Sequence, residues 1–267
     1  MRTSSAGRLK QRSRSEGTAE NLTTIATDLV DSRGYGSLHL VEVDHRSPDR
    51  LELANYEHLR AGARPEYLVC KRIFDVVAGI AIFLILSPLI AAIVGCLYAS
   101  GGSPLFRHRR VGKDGVLFEC LKFRTMVKNA DQVLRDLLDS DHLIKQEWLK
   151  DHKLKDDPRV TRLGHFLRIS SLDELPQLWN VLRGEMSLVG PRPVVPEELG
   201  RYKGKVAIFL AAKPGITGLW QISGRTDMDY RRRVALDLCY VRSRTFALDV
   251  LILIKTLPSV FGRNGAY

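Results

Sequence analysis

Apolar positions are distributed very unevenly along this chain. Residues 1–20 are Ser/Arg-rich, and from residue 21 to about 66 Leu and Val are scattered without a sustained period, as in a disordered or weakly structured extension. From Val76 to Ala99 no residue carries a formal charge, and a helix of that length reaches across a hydrocarbon core. The pattern then becomes mixed. "VLFECLKFRTM" (116–126) alternates as a short strand entering a basic turn, and 130–150 has helical spacing at Val133, Leu134, Leu137 and Leu138. A short helix is expected within 156–171 through Leu163, Phe166 and Leu167. Another should begin at Pro176, run to about Arg183 and end at Gly184, a proline-start, glycine-stop pattern. The apolar stretch 246–261, interrupted only by Asp249 and Lys255, reads as a buried core helix or as a helix in a membrane interface, and its basic context favours the interface. The expected class is mainly α with a small β component (α+β).

Charge narrows the setting. A net charge of +11 and a pI near 9.7 call for polyanionic partners. Nucleic acid fits poorly, because it would need base-stacking aromatics interleaved with the cations and only 7% of residues are aromatic. A lipid surface fits better. Lys71 and Arg72 precede the uncharged run and Arg107, Arg109, Arg110 and Lys113 follow it, so both flanks carry the cations typical of a cytoplasmic side. Ser87-Pro88 sits mid-run, where proline removes a backbone donor. A helix that enters, breaks at Ser87-Pro88 and returns to the same face accounts for both features; a kinked single-pass helix is the alternative. The run lies too far into the chain for a cleaved signal peptide. Cys70, Cys96, Cys120 and Cys239 form no CxxC pair, as expected of reduced thiols facing the cytoplasm.

Candidate chemistry concentrates in "SSLDELPQLWNVLRGEMSLVGPRP" (170–193). Ser171 and Glu174 have capping-box spacing, and Asp173 and Glu174 fall at or just before a helix N-terminus, whose dipole should keep them ionised. Capping needs one acid; two suit a nucleophile beside a metal ligand. Lys122, Arg124, Arg159, Arg162, Arg168 and the proline-flanked Arg192 lie in short polar segments and could cradle a diphosphate. The glycine-rich "KPGITGLWQISGR" (213–225) adds Trp220 and Arg225 as a wall for a nucleotide or sugar. No hydrolytic triad and no metal-binding histidine pair is present, and His108 and His165 read as structural.

Taken in order, "KRIFD", the Ser87-Pro88 step, "SPLFRHRRVGKDG", "KFRTM", "DPRVTRLGHFLRISSLDELPQLWNVLRGEMSLVGPRP", "KPGITGLWQISGR" and "GAY" resemble the bacterial sugar transferases, the monotopic polyprenyl-phosphate phosphoglycosyl transferases, over about residues 71–267. The resemblance implies a re-entrant membrane helix over 67–100, amphipathic interface helices, and a catalytic module over 101–267 on the cytoplasmic face of the bacterial inner membrane. It leaves 1–66 as an extension. It further implies that Asp173 attacks a UDP-sugar, releasing UMP, and that undecaprenyl phosphate then accepts the phosphosugar, the first membrane step of exopolysaccharide synthesis. Mg²⁺ would be held through Glu174, phosphates through Lys122, Arg168 and Arg192, and Asp237 falls at a position associated with the site. Galactose or glucose is the expected sugar and a homodimer is compatible. "RSRTF" (242–246) is more basic than the family's usual stretch. A catalytically silent scaffold of a polysaccharide assembly is the competing reading, but it would need neither acid nor Lys122 nor Arg192.

Overall fold

The computed structural model describes residues 65–151, 154–223 and 229–261. The extension before Pro65, Arg225 and the closing "GAY" lie outside the described residues. The described chain is mainly helical, with two sheets of two strands each.

Helix α1, Pro65–Ala99, is 35 residues long, roughly 50 Å at about 1.5 Å per residue. It continues through Pro88, so the Ser87-Pro88 step does not terminate it; Ser87 Oγ donates to the Leu84 carbonyl at 2.8 Å. Only 11% of its most apolar window is buried, so most of this surface has no protein cover. A hairpin follows, β1 Leu105–Val111 with β2 Leu117–Phe123, antiparallel from Leu105↔Phe123 to Val111↔Leu117. Strand β1 was not expected, because its closely spaced cations obscure the alternation.

The helical stretch at 130–150 divides into α2, Ala130–Ser140, and α3, His142–Asp151. The cause is Asp141, in extended conformation, whose Oδ1 accepts the Leu143 and Ile144 amides and starts a new helix. Helix α4, Arg162–Ile169, is N-capped by Thr161, whose hydroxyl accepts the Gly164 amide at 2.9 Å. Helix α5, Gln177–Arg183, ends at Gly184 with φ 82, as the sequence pattern predicts. Next come β3 Ser187–Val189, a 3₁₀ segment Pro196–Lys205, α6 Val206–Leu210 and β4 Gly215–Thr217, which pairs in parallel with β3. Helices α7 Leu219–Ile222, α8 Tyr230–Ser243 and α9 Phe246–Phe261 complete the described chain.

The larger core joins β1, β2, α5, β3, α6, α8 and α9 around Val111, Phe118, Val181, Met186, Phe209, Tyr240 and Ile252, and the N-terminal half of α1 packs on it through Phe74, Ala78, Ile82 and Phe83. A smaller cluster joins Ile93 and Leu97 of α1 to Phe123 and Leu167. Both ends of α1 are also fixed by polar contacts. Arg72 donates to the Val181 and Leu182 carbonyls at 2.6 and 2.8 Å, Asp75 accepts the Leu188 amide, and Arg124 donates to the Leu97 carbonyl at 3.0 Å. Helix α9 divides its faces: Asp249 and Ile252 are buried while Phe246, Leu251 and Ile254 are exposed, so it serves the core and an outer apolar surface together.

Candidate active site

Asp173 and Glu174 lie in a single 3₁₀ turn, Leu172–Glu174, two residues ahead of α5. Leu172 and Leu175 pack against the two hydrophobic clusters, which pins the turn and leaves both acids beside Lys122. The capping box expected at Ser171 does not form. Ser171 adopts φ 56 and its side chain caps nothing, because the chain must reverse sharply between α4 and the turn.

Lys122, on β2, donates from Nζ to Glu174 Oε1 at 2.7 Å and stands 3.8 Å from Asp173 Oδ2. The lysine is held in register by α5. Buried Asn180 accepts the Leu121 amide at 3.0 Å and donates to the Glu119 carbonyl at 2.7 Å, completing the outer edge of β2. Burial by itself would lower the Lys122 pKa, but Glu174 and Asp173 outweigh it and the value is raised. Asp173 titrates above the usual carboxylate range: burial pushes its carboxyl up to about 6 and Glu174 adds to this, against the opposing pull of Lys122 and Arg168. Proximity to a helix start does not offset removal of the carboxylate from water.

Arg168 reaches the dyad from α4. Its Nε donates to Thr125 Oγ1 at 2.9 Å, and burial lowers its pKa while Asp173 partly restores it. Helix α4 can approach this closely because Gly164 has no side chain: a β-carbon there would lie 1.9 Å from the Thr125 carbonyl oxygen. Lys122, Thr125, Arg168, Asp173 and Glu174 are thereby gathered from three segments.

A second group of cations adjoins the first. Arg192 is positioned by its backbone, whose amide donates to Asp237 Oδ1 at 3.2 Å; Tyr202 Oη donates to Asp237 Oδ2 at 2.9 Å. Burial pushes Asp237 up to about 7, opposed by these two hydrogen bonds and by the charges of Arg192 and Arg233. The Arg192 and Arg233 guanidinium groups lie 5.6 and 4.7 Å from the Trp220 ring centre, and the Nε of each is buried without a hydrogen-bond partner. Arg110, 3.6 Å from Glu198, has its pKa lowered by burial and then by Arg192, and also feels Glu174. Crowded guanidinium groups with orphaned donors are suited to an anion with several oxygens.

Of the residues singled out in the sequence, Lys122, Arg168, Asp173 and Glu174 come together, with Arg192 and Asp237 in the adjoining cation group. Arg124 does not join them; it donates to the Leu97 carbonyl and Ser100 Oγ at the end of α1. Arg159 is held by Asp157 through contacts of 2.8 and 2.6 Å and is structural. His108 interacts with Arg110 Nη2 at 3.2 Å. Asn180, Tyr202 and Arg233 escaped the sequence reading, and Arg110 was noted there only as a cation flanking the uncharged run. Asn180 could have been found as a polar residue between the core positions Leu178 and Val181; nothing local distinguishes Arg110 or Arg233 from their neighbouring arginines. Among the described residues, no three His, Cys, Asp or Glu side chains are placed to hold a metal by themselves.

A family model described as bacterial sugar transferase matches residues 66–263. The chain is 53% identical over 197 residues to the undecaprenyl-phosphate galactose phosphotransferase of Salmonella typhimurium and 52% identical over 197 residues to the UDP-galactose-lipid carrier transferase of Erwinia amylovora; each match covers 74% of this chain and 41% of the relative. The chain therefore spans about two fifths of those relatives. It is also 48% identical over 205 residues to the exopolysaccharide production protein ExoY of Sinorhizobium fredii, covering 76% of this chain and 91% of that protein.

Proposed function

We propose that this chain, which belongs to the bacterial sugar transferase family, transfers a sugar 1-phosphate from a UDP-sugar to undecaprenyl phosphate, starting exopolysaccharide assembly at a membrane surface. The observation that carries the reading is the largely buried Asp173, held near Lys122 and Arg168 and beside Glu174, with the orphaned donors of Arg192 and Arg233 in the adjoining cation group. A carboxylate so placed is a nucleophile with its phosphate clamps already arranged.

In the first half-reaction an Asp173 oxygen bonds to the β-phosphorus, the bond to the bridging oxygen breaks, and UMP leaves. In the second, a phosphate oxygen of undecaprenyl phosphate attacks the same phosphorus and frees the aspartate. Lys122 and Arg168 neutralise the phosphoryl oxygens around Asp173, while Arg192 and Arg233, aligned on Trp220, hold the rest of the diphosphate. Asp237 sets the Arg192 backbone rather than touching substrate. The donor set suits Mg²⁺, which is commonly held by one or two carboxylates plus substrate phosphates. Glu174 would hold it, and the ion would supply charge neutralisation at the diphosphate. The names of the two galactose-related relatives favour galactose.

We also assign α1 a re-entrant course, entering and leaving on one face, with the catalytic module on the cytoplasmic side of the inner membrane. Two observations support it: the Arg72 and Asp75 end and the Leu97 end are both bonded to the same catalytic module, and Leu84, Ile85 and Leu89 between them are exposed. Phe166, Ile169 and Trp179, on α4 and α5, are exposed apolar side chains of the kind that interface helices carry.

The test is UMP release by the full chain in lipid with UDP-galactose or UDP-glucose, polyprenyl phosphate and Mg²⁺. Release that disappears in a folded Asp173→Asn variant supports the reading. Absence of UMP with every UDP-sugar offered sinks it and leaves the scaffold. For topology, cysteines are placed at Glu66 or Ser103 in a cysteine-free chain. Labelling of just one of them from outside the inner membrane means a spanning helix.

A further inference from the structure

A cavity of about 220 Å³ lies beside the first two turns of α1, against the C-terminal end of α5. Its lining holds Lys71, Arg72, Lys113, Lys213 and Arg244, with Asp75 as the single acid. Most of these charges have assigned partners. Lys71 pairs with Asp249 at 2.9 Å, Arg72 caps the carbonyls of Val181 and Leu182, and Lys113 lies 3.9 Å from Asp114. Arg244 donates to the Ala211 carbonyl, and Asp75 accepts the Leu188 amide.

Lys213 differs, having no ion pair or hydrogen bond among the described residues although it is half-buried. Burial lowers its pKa, and the neighbouring Arg72, Lys113 and Lys71 lower it further, with Asp75 alone pulling it back up. Ser187, also in the lining and 1% exposed, has a buried Oγ without a partner. Charge at the end of α5 is accounted for without either residue. A β-carbon on Gly184 would lie 3.4 Å from both Arg72 Nη2 and Lys213 Nζ, so the two cations converge there, yet Arg72 and the backbone amides of Gly184, Glu185 and Met186 already serve the carbonyls of Asn180, Val181 and Leu182. A half-buried cation without an ion pair, which together with its neighbours outnumbers the one acid of the lining, and a buried orphaned hydroxyl in the same cavity point to an anion held there.

The anion is not the one at Asp173. Asp173 and Glu174 precede the seven-residue α5 and the cavity lies past its other end, roughly 10 Å away along the axis at about 1.5 Å per residue. The setting is that of a lipid headgroup: Leu68, in the lining, is 40% exposed, and Val69 and Ile73 on the same end of α1 are 58% and 59% exposed, so the cavity opens beside an uncovered apolar stretch of helix. We propose that this cavity is a second anion site, which takes the phosphodiester headgroup of an anionic membrane lipid on Lys213 and Ser187 while α1 carries the acyl chains. The site rests on the membrane reading above, but not on sugar-phosphate transfer.

The test uses the full chain in nanodiscs of phosphatidylcholine, with and without phosphatidylglycerol, and counts retained lipids by native mass spectrometry. The expected result is preferential retention of phosphatidylglycerol, weakened about tenfold in Lys213→Gln, the usual scale of a lost charge-assisted contact. A smaller loss is expected in Ser187→Ala and none in Lys145→Gln, an exposed lysine of α3. Thermal melting confirms that each variant is folded; if Lys213→Gln is not, Lys113→Gln takes its place. Equal retention of both lipids overturns the proposal, as does an unchanged preference in a folded Lys213→Gln. Displacement of phosphatidylglycerol by an equal concentration of inorganic phosphate overturns the lipid assignment and makes this a free-phosphate site. Failure of the chain to stay in nanodiscs of either composition counts against the membrane reading, and through it against this site.

Discussion

Removing Lys122 should leave a nucleophile that works only at higher pH. Its Nζ lies 3.8 Å from Asp173 Oδ2, a separation worth about 4 kcal/mol at an effective dielectric constant of about 20. That is an upper limit of about three pKa units at about 1.4 kcal/mol each. Arg168 remains in place and water enters the vacated volume, so about half of that should survive in Lys122→Met. Starting from about 6, the Asp173 pKa then rises to about 7.5. At pH 7 the ionised fraction falls from about 90% to about a quarter, a fourfold loss from protonation alone. This part of the defect is recovered at pH 9, whereas lost phosphate clamping is not recovered at any pH. The assay is UMP release from pH 5 to 9.5, read as kcat/KM because that parameter reports the free enzyme. An acidic limb that moves up by one to two units fits. A limb that stays with wild type or moves down refutes the electrostatic assignment, whatever happens to the absolute rate.

Other substitutions probe the supports of the site. Asp173→Asn should abolish UMP release while raising the melting temperature above pH 6, because a raised carboxyl pKa means that ionisation costs the fold stability, about 3 kcal/mol for two units. Asp237 should show the same sign over a wider window. Stability falls as pH climbs from about 4, where the unfolded chain loses the proton, to about 7, where the folded chain does; Asp237→Asn should flatten that slope in melting curves, and equal slopes would show that the residue titrates normally. Asn180→Ala leaves the Leu121 amide and the Glu119 carbonyl without partners, at about 1–3 kcal/mol each. Denaturant unfolding should register this loss, and the Lys122 clamp should loosen with it. Gly164→Ala places a methyl group on the Thr125 carbonyl and should cost upwards of about 3 kcal/mol, with Arg168 displaced. A soluble, active Gly164→Ala protein would mean that α4 does not need that close approach.

Features written in local pattern were legible in the sequence: the uncharged run of α1, the proline start and glycine stop of α5, and the acidic pair ahead of it. Those set by distant partners were not. Strand β1 is specified by pairing with β2 rather than by its own "LFRHRRV", where charge masks alternation. Asp173 looks like an exposed capping acid, and only the packing of α4, β2 and α1 around its turn makes it a buried carboxyl. Asp237 was reached through the family resemblance; its work, holding the Arg192 amide and Tyr202, joins positions 35 and 45 residues away.

Helix α1 and the Asp173-Glu174 pair are one structural unit. Leu175, directly after Glu174, packs into both hydrophobic clusters, one shared with Phe74, Ala78 and Ile82 of α1 and the other with Ile90, Ile93 and Leu97. Leu172, directly before Asp173, packs into the second. The short turn bearing the two acids is therefore held on both sides by leucines that contact the two halves of one helix. At about 25 cal/mol per Å² of buried apolar surface, a pair of leucines carries several kcal/mol of such anchoring. A turn of three residues has little intrinsic stability to keep its shape without that anchoring. Seating α1 and forming the nucleophile are thus the same packing event. On the proposed function, this packing would give the two acids their geometry at the membrane surface, where a lipid-phosphate acceptor would be met.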